Sequence, residues 1–273
     1  MPGMDPLLRV HNLEVTYHRR LVAIRNVSVV VPEGAVVGII GVNGAGKTTL
    51  LRAISGFLPG EDAQITEGDI LYRGRSIKGL QPHETCSLGI ALVPERDKVF
   101  PTLTVEENLE AARWRGNGSG GGSREALLQR LFDWFPVLKE RRRQLTGYLS
   151  GGERQMLAIA MALLNGPSLL LIDEMSLGLA PSVLADLEER LRAIRDELGL
   201  TVLLVDQFAA MVIRMSDYCY VMENGGVVFD GPPERLLAHE DVREFYLGMS
   251  DSSQAAKSYR EVKQYRRRRR WYG

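Results

Sequence analysis

Gly41-Val42-Asn43-Gly44-Ala45-Gly46-Lys47-Thr48 has the form G-x-x-x-x-G-K-T, and its flanks decide the fold. Residues 35–40 before it are a short apolar run between two glycines, the pattern of a buried strand. Residues 48–54 after it place Leu50, Leu51 and Ile54 on one helical face, and glycines at 56 and 60 stop the helix. A strand feeding a glycine-rich turn that opens a helix makes an anion cradle. Glycine lets the backbone wrap closely enough to aim several N–H groups at one phosphate chain. The helix N-terminus adds the positive end of its dipole. Lys47 then reaches the β- and γ-phosphates of a nucleotide, and the Thr48 hydroxyl offers a ligand to Mg²⁺.

Further along, Leu169-Leu170-Leu171-Ile172-Asp173-Glu174 is a buried strand that ends in two carboxylates. By itself the pair also reads as acidic residues opening a helix. Beside the loop at Gly41 it reads as phosphate chemistry. Asp173 fits the acid that holds Mg²⁺ in P-loop NTPases. Glu174 lies nearer the γ-phosphate, where a carboxylate polarises the attacking water. Strand patterns recur at 7–17, 27–31, 68–72, 91–93 and 202–205, with a helix at 182–198. Residues 218–223 and 226–229 read as a hairpin across Asn224-Gly225. Between about 106 and 165 the periodicity is helical, broken by the flexible octet GNGSGGGS at 116–123. The expected fold is α/β with a helical insert in its middle third.

Leu149-Ser150-Gly151-Gly152-Glu153-Arg154-Gln155 opens an apolar helix. A capping box explains Ser150 and Glu153; it explains neither both glycines nor their place about twenty residues before Asp173. The LSGGE run is the signature of ABC transporter nucleotide-binding subunits, and residues 7–248 resemble that family. The resemblance implies a P-loop NTPase (RecA-like) core with an antiparallel β subdomain and a helical subdomain at about 98–165. The runs at 93–95, 104–109, 155–160, 176–181 and 221–225 look like the second ATP-binding cassette of branched-chain amino-acid importers.

By that resemblance, Tyr17 stacks on adenine, although a strand-end tyrosine packed for its own sake explains it too. ATP is held by Gly41, Val42, Asn43, Gly44, Ala45, Gly46, Lys47, Thr48 and Thr49. Glu174 is catalytic with Gln207 assisting; Thr48, Glu95 and Asp173 serve Mg²⁺. Two cassettes, identical or not, enclose two ATPs head to tail, so that Ser150, Gly151, Gly152 and Glu153 face the nucleotide of the other chain. Permease subunits in the membrane, and indirectly a periplasmic or extracellular solute-binding protein, are the implied partners. The implied location is the cytoplasmic face of the inner membrane. Glu95, Gln207 and Ala180 depart from the general family pattern, as the importer branch often does. Met175 departs further, standing where proline usually follows the catalytic Glu.

Composition fits this reading. The 273 residues are 45% hydrophobic and 25% charged, with 28 Gly and 12 Pro, which excludes wholesale disorder and fibrous repeats. No apolar run approaches the ~20 residues of a membrane span. Cys86 and Cys219 are too few for a disulfide scaffold, and the four histidines show no metal-ligand spacing. A formal net charge of zero conceals a basic end: residues 257–273 hold eight Lys and Arg against Glu261. The segment 249–273, which carries five arginines at 266–270 followed by Trp271 and Tyr272, is expected to be disordered. It reads as a solvated extension or as a contact for anionic lipid or an acidic protein face. No nucleic-acid partner is expected, since nothing else in the chain supports one. An exporter cassette and a soluble, non-transport ABC ATPase are the alternatives; the latter usually carries two cassettes, a coiled-coil insertion or a zinc hook.

Overall fold

Strands β3 (Val36–Ile40), β7 (Leu169–Asp173) and β8 (Thr201–Asp206) are buried along their whole length. Continuous apolar runs of this kind suit parallel strands covered on both faces. They form the centre of a six-stranded sheet of order β10-β9-β3-β8-β7-β6. Here β6 is Ile90–Val93, β9 is Tyr218–Glu223 and β10 is Gly226–Gly231. All neighbours pair in parallel except β9 and β10, which form the hairpin expected across Asn224-Gly225. The computed structural model describes residues 6–96, 98–112, 124–240 and 242, so the glycine-rich octet and the basic segment lie outside the described residues.

The two faces of this sheet separate two cores, and strict alternation divides them. Val37, Ile39, Leu169, Leu171, Leu203 and Val205 pack toward a second, antiparallel sheet and helix α1 (Lys47–Ser55). Val36, Ile40, Leu170, Ile172, Val202 and Leu204 pack toward the helical insert and the helices that follow it. Each fully buried Leu, Ile or Val contributes about 1.5–3 kcal/mol, so a one-residue slip in any central strand exchanges both sets at once.

The antiparallel sheet has the order β2-β1-β4-β5, from β1 (Pro6–Tyr17), β2 (Leu21–Pro32), β4 (Ala63–Tyr72) and β5 (Arg75–Ser76). Strands β2 and β4 are longer than their sequence patterns suggest. β4 runs through Gly68 with its φ of +80°, where the register with β1 shifts between His11 and Glu14. Pairing along β1 holds this polar, bulged stretch extended.

Strands β6 and β7 are sheet neighbours, yet residues 94–168 lie between them. A crossover between parallel strands is usually a single helix. This one is a helical insert containing α3 (Val105–Ala111), α4 (Arg124–Trp134), α5 (Pro136–Glu140) and α6 (Gly151–Leu163). Asn108, fully buried, fastens its base: the side chain donates to the carbonyls of Phe100 and Thr104 and accepts from the Phe100 N–H. Helix α7 (Pro181–Leu198) returns the chain to β8. Three short helices carry no sequence assignment: α2 (Pro82–Leu88), α8 (Ala209–Met215) and α9 (Pro233–Ala238). Among the described residues, no helix is long and apolar enough to cross a membrane.

Candidate nucleotide site

The C-terminal ends of β3, β7 and β8 meet at one edge of the parallel sheet, where α/β folds hold ligands. A cleft of about 430 Å³ opens there, lined by Tyr17, Asn43 to Thr49, Glu95, Glu174 and Gln207 with a few neighbours. Gly41, Val42 and Asp173 are not part of this lining. The loop shape depends on glycine at two points. Gly46 has a φ of +99°, and a Cβ on Gly41 would come within 2.6 Å of the Met222 carbonyl oxygen. Gly46 caps α1 without a side-chain hydrogen bond, which leaves the first N–H groups of that helix for a ligand.

Lys47, only 4% exposed, donates to the carbonyls of Gly41 at 2.7 Å and Val42 at 3.3 Å. Its ammonium also lies 3.0 Å from Glu174 Oε1. Thr48 donates its hydroxyl to Asp173 Oδ1 at 3.2 Å. One acid thus faces the lysine and the other the threonine. Burial pushes the Asp173 carboxyl from 3.8 up to about 6, opposed by the Thr48 hydrogen bond and assisted by the charges of Glu174 and Glu95. Glu174 moves up as well, again through burial; Lys47 opposes the shift and Asp206 adds to it. Two buried carboxylates held close together gain from any cation or donor that joins them.

Glu174 has a left-handed backbone with φ of +50°, unusual for a residue with a side chain. Its N–H donates to the Val205 carbonyl at 2.9 Å, and the Gln207 N–H reaches its Oε2 at 3.4 Å. Met175 is fully buried in the core that holds Ile172 and Leu204, which anchors the chain just past the bend. Asp206, passed over in the sequence reading, is fully buried and joins the two loops at this edge. It accepts from the Ser176 N–H and hydroxyl at 2.8 and 2.7 Å, and from the Phe208 N–H at 2.9 Å. The available signal was a carboxylate closing an apolar strand, the feature that singled out Asp173.

Tyr17 borders the cleft at the end of β1. Its hydroxyl lies 3.2 Å from Thr49 Oγ1 and donates to Glu61 at 3.4 Å. Glu95 pairs with Arg96 at 3.0 Å on the opposite wall. Ser150, Gly151, Gly152 and Glu153 are not part of this lining. There the capping box is formed: the Ser150 hydroxyl accepts from the Glu153 N–H at 3.3 Å, and Glu153 accepts from the Ser150 N–H at 2.7 Å. Glu153 also pairs with Arg141 at 2.6 Å. The two helix N-termini of interest therefore differ. That of α1 is open, and that of α6 is capped by its own side chains.

The oxygens of Thr48 and Asp173, with Glu95 acting electrostatically on Asp173, are a hard donor set that suits Mg²⁺. Among the described residues, no three His, Cys, Asp or Glu side chains gather into a metal cage. A cation held by few protein oxygens and completed by phosphates and water matches the habit of Mg²⁺ rather than Zn²⁺.

Comparison with known proteins gives a consistent set. The ABC transporter family profile matches residues 24–176. The high-affinity branched-chain amino acid transport ATP-binding protein BraG of Pseudomonas aeruginosa is 42% identical over 233 residues, covering 85% of this chain and 96% of that protein. The probable branched-chain amino acid transport ATP-binding protein LivF of Archaeoglobus fulgidus is 35% identical, with 90% of this chain and all of that one covered. Among solved structures, the ADP conformation of an ABC transporter ATP-binding cassette, MJ1267, superposes with a TM-score of 0.74 at 28% identity, covering 90% of this chain and 100% of its own. The dimeric bacterial ABC transporter cassette MJ0796 gives 0.70 at 26% identity, covering 83% and 98%.

Proposed function

The chain belongs to the ABC transporter family, and from that premise we propose that it is the ATP-hydrolysing subunit of an importer for branched-chain amino acids or related small solutes. The observation that carries this reading is the convergence of Lys47, Thr48, Asp173 and Glu174 at one edge of the sheet. The relatives BraG and LivF, matched over nearly their whole length, support the substrate class.

In this reading the open N–H groups of α1 and the loop bind the β- and γ-phosphates of ATP. The arriving phosphates compete with Glu174 for the Lys47 ammonium. Glu174, released and with its basicity raised by burial, accepts a proton from water as the water oxygen attacks the γ-phosphorus. The bond from that phosphorus to the bridging oxygen breaks, and ADP and phosphate leave. The Gln207 side chain positions water or phosphate, and as an amide it takes up no proton. Thr48 and Asp173, with Glu95 nearby, would hold Mg²⁺, which offsets charge on the phosphate oxygens when bound. Tyr17 supplies the adenine platform.

A second cassette, like this chain or different from it, presents its Ser150–Glu153 equivalent to the γ-phosphate; that the similar cassette MJ0796 is dimeric supports the pairing. Donors then surround the transferring group on both sides. The pair works on the cytoplasmic face of the membrane against separate permease subunits, which an external solute-binding protein supplies. The basic segment 257–273 reinforces that docking through anionic lipid.

The test is uptake of labelled leucine in cells lacking the gene, complemented with wild type or Glu174→Gln and paired with ATPase assay of the purified chains. Wild type restores uptake and hydrolyses ATP; Glu174→Gln binds ATP and does neither. Hydrolysis without any effect on leucine, isoleucine or valine uptake would overturn the substrate assignment and leave the ATPase standing.

A further inference from the structure

The hydroxyl of Tyr17 is tied at two points: it lies 3.2 Å from Thr49 Oγ1 and donates to Glu61 Oε2 at 3.4 Å. A carboxylate only accepts, and a tyrosine has one proton to give. With that proton on Glu61, the Thr49 hydroxyl donates to the tyrosine oxygen. Thr49 is buried in the first turn of α1, the helix whose N-terminus opens the phosphate cradle. Glu61 closes a 3₁₀ turn, Leu58–Glu61, that follows α1. Leu58 is buried, and the His18 N–H donates to the Asp62 carbonyl at 2.8 Å, so the end of this turn is held beside the end of β1. Arg52, in the last turn of α1, pairs with the same Glu61 Oε2 at 2.5 Å. Both members are more than a third exposed, and a pair so exposed adds little stability. What it supplies is a fixed direction for the carboxylate that meets Tyr17. Tyr17 and Thr49 line the nucleotide cleft; Glu61 and Arg52 do not.

We propose that Glu61 is a positioning residue that sets the Tyr17 ring as the platform for a nucleotide base, and so favours a nucleoside triphosphate over a bare polyphosphate. The inference rests on the reading of Tyr17 as the adenine platform. A tyrosine at a strand end turns about two side-chain torsions, and only orientations that offer its face to the base allow stacking. Anchoring the hydroxyl at Glu61 and Thr49 removes that freedom before the nucleotide arrives, so less of the ordering cost falls on binding. Thr49 and Arg52 both belong to α1. The platform is therefore referenced to the helix that receives the phosphates, and the separation between base and phosphate sites is built into the fold. Glu61, outside the cleft lining, acts through Tyr17.

The test is calorimetric titration of the full chain with ATP and, separately, with inorganic tripolyphosphate, both with MgCl₂. Tyr17→Ala, which removes the ring, should weaken ATP by about tenfold or more and spare tripolyphosphate. Unchanged ATP affinity in that variant overturns the platform reading on which the inference rests. Tyr17→Phe keeps the ring and loses only the hydroxyl; Glu61→Ala keeps the whole tyrosine. Each should weaken ATP by about three- to tenfold, the range of one lost hydrogen bond, with tripolyphosphate within about twofold of wild type. Glu61→Gln still accepts from the hydroxyl and should restore ATP affinity. The double variant Tyr17→Phe with Glu61→Ala should match Tyr17→Phe alone, as members of one linkage must. Stacking by itself predicts no loss in Tyr17→Phe, since phenylalanine offers the same face. ATP affinity retained in Tyr17→Phe or in Glu61→Ala, with Tyr17→Ala weakened, overturns the inference and leaves the platform standing. Equal losses for ATP and tripolyphosphate in Glu61→Ala overturn it too, because they mark a disturbance of α1 rather than of the ring.

Discussion

Asp173→Asn should make the nucleotide-free protein more stable at pH 7 while removing its response to Mg²⁺. Asp173 is 3% exposed, and its carboxyl sits at about 6 against an ordinary 3.8. Between those values the folded chain binds more protons than the unfolded one, so stability falls as pH rises. The favourable contribution of the neutral acid is complete below 3.8 and is lost by the time pH has passed about 6. A shift of this size at 1.36 kcal/mol per unit amounts to about 3 kcal/mol of strain in the ionised state at pH 7. Asparagine has nearly the same shape, stays neutral and still accepts the Thr48 hydroxyl, so it keeps what the carboxylate loses. The gain corresponds to about 5 °C in Tm for a chain of this length. The assay is calorimetry in EDTA at pH 7 and pH 4.5, then at pH 7 with MgATP. The variant should lead by the full margin at pH 7 and by much less at pH 4.5. With MgATP, wild type should gain the larger increment, because ligand binding stabilises only a site that holds the ligand. A variant no more stable at pH 7 without nucleotide, or a lead undiminished by acid, would refute the burial argument.

Gln207→Ala should reduce ATP turnover less than Glu174→Gln, because an amide positions groups without taking up a proton; equal losses in kcat would give Gln207 a larger share of the chemistry. Gly38→Ala should destabilise the fold by about 1–3 kcal/mol in urea titration, since its Cβ would sit 2.3 Å from Val212 Cγ1 and 2.4 Å from Ser216 Oγ where α8 crosses β3. A chain ending at residue 256 should lose binding to anionic vesicles and not to neutral ones, with the full chain released by salt; equal sedimentation of both chains would dismiss the lipid contact.

The sequence by itself determined the phosphate loop, the buried strands that enter and flank it, and the helices long enough to show a period. These are local properties. A loop that needs glycine at Gly41 and Gly46 and a strand apolar through Ile172 announce themselves within a few residues. The hairpin at Asn224-Gly225 was legible for the same reason, with φ of +48° and +76° at its two turn residues.

Tertiary structure decided what no short window contains. Helices α2, α8 and α9 have seven residues or fewer, too few for a face to repeat, and docking against the body sustains them. For α2 the cue was present in Pro82 at its first turn and Glu84 closing a capping box with Gln81. The polar half of β4 is a strand only because β1 lies beside it. Asp206 merely closes an apolar strand in the sequence, and only the fold places it between the loops after β7 and β8. Above all, Lys47 and Glu174 lie 127 positions apart in the sequence, and their 3.0 Å contact exists because β3 and β7 both pair with β8. Residue types and spacing reveal which groups are fit for the chemistry. Their distances, their burial and hence the upward shift of both carboxyls arise only when the sheet assembles, because desolvation is a property of the packed whole.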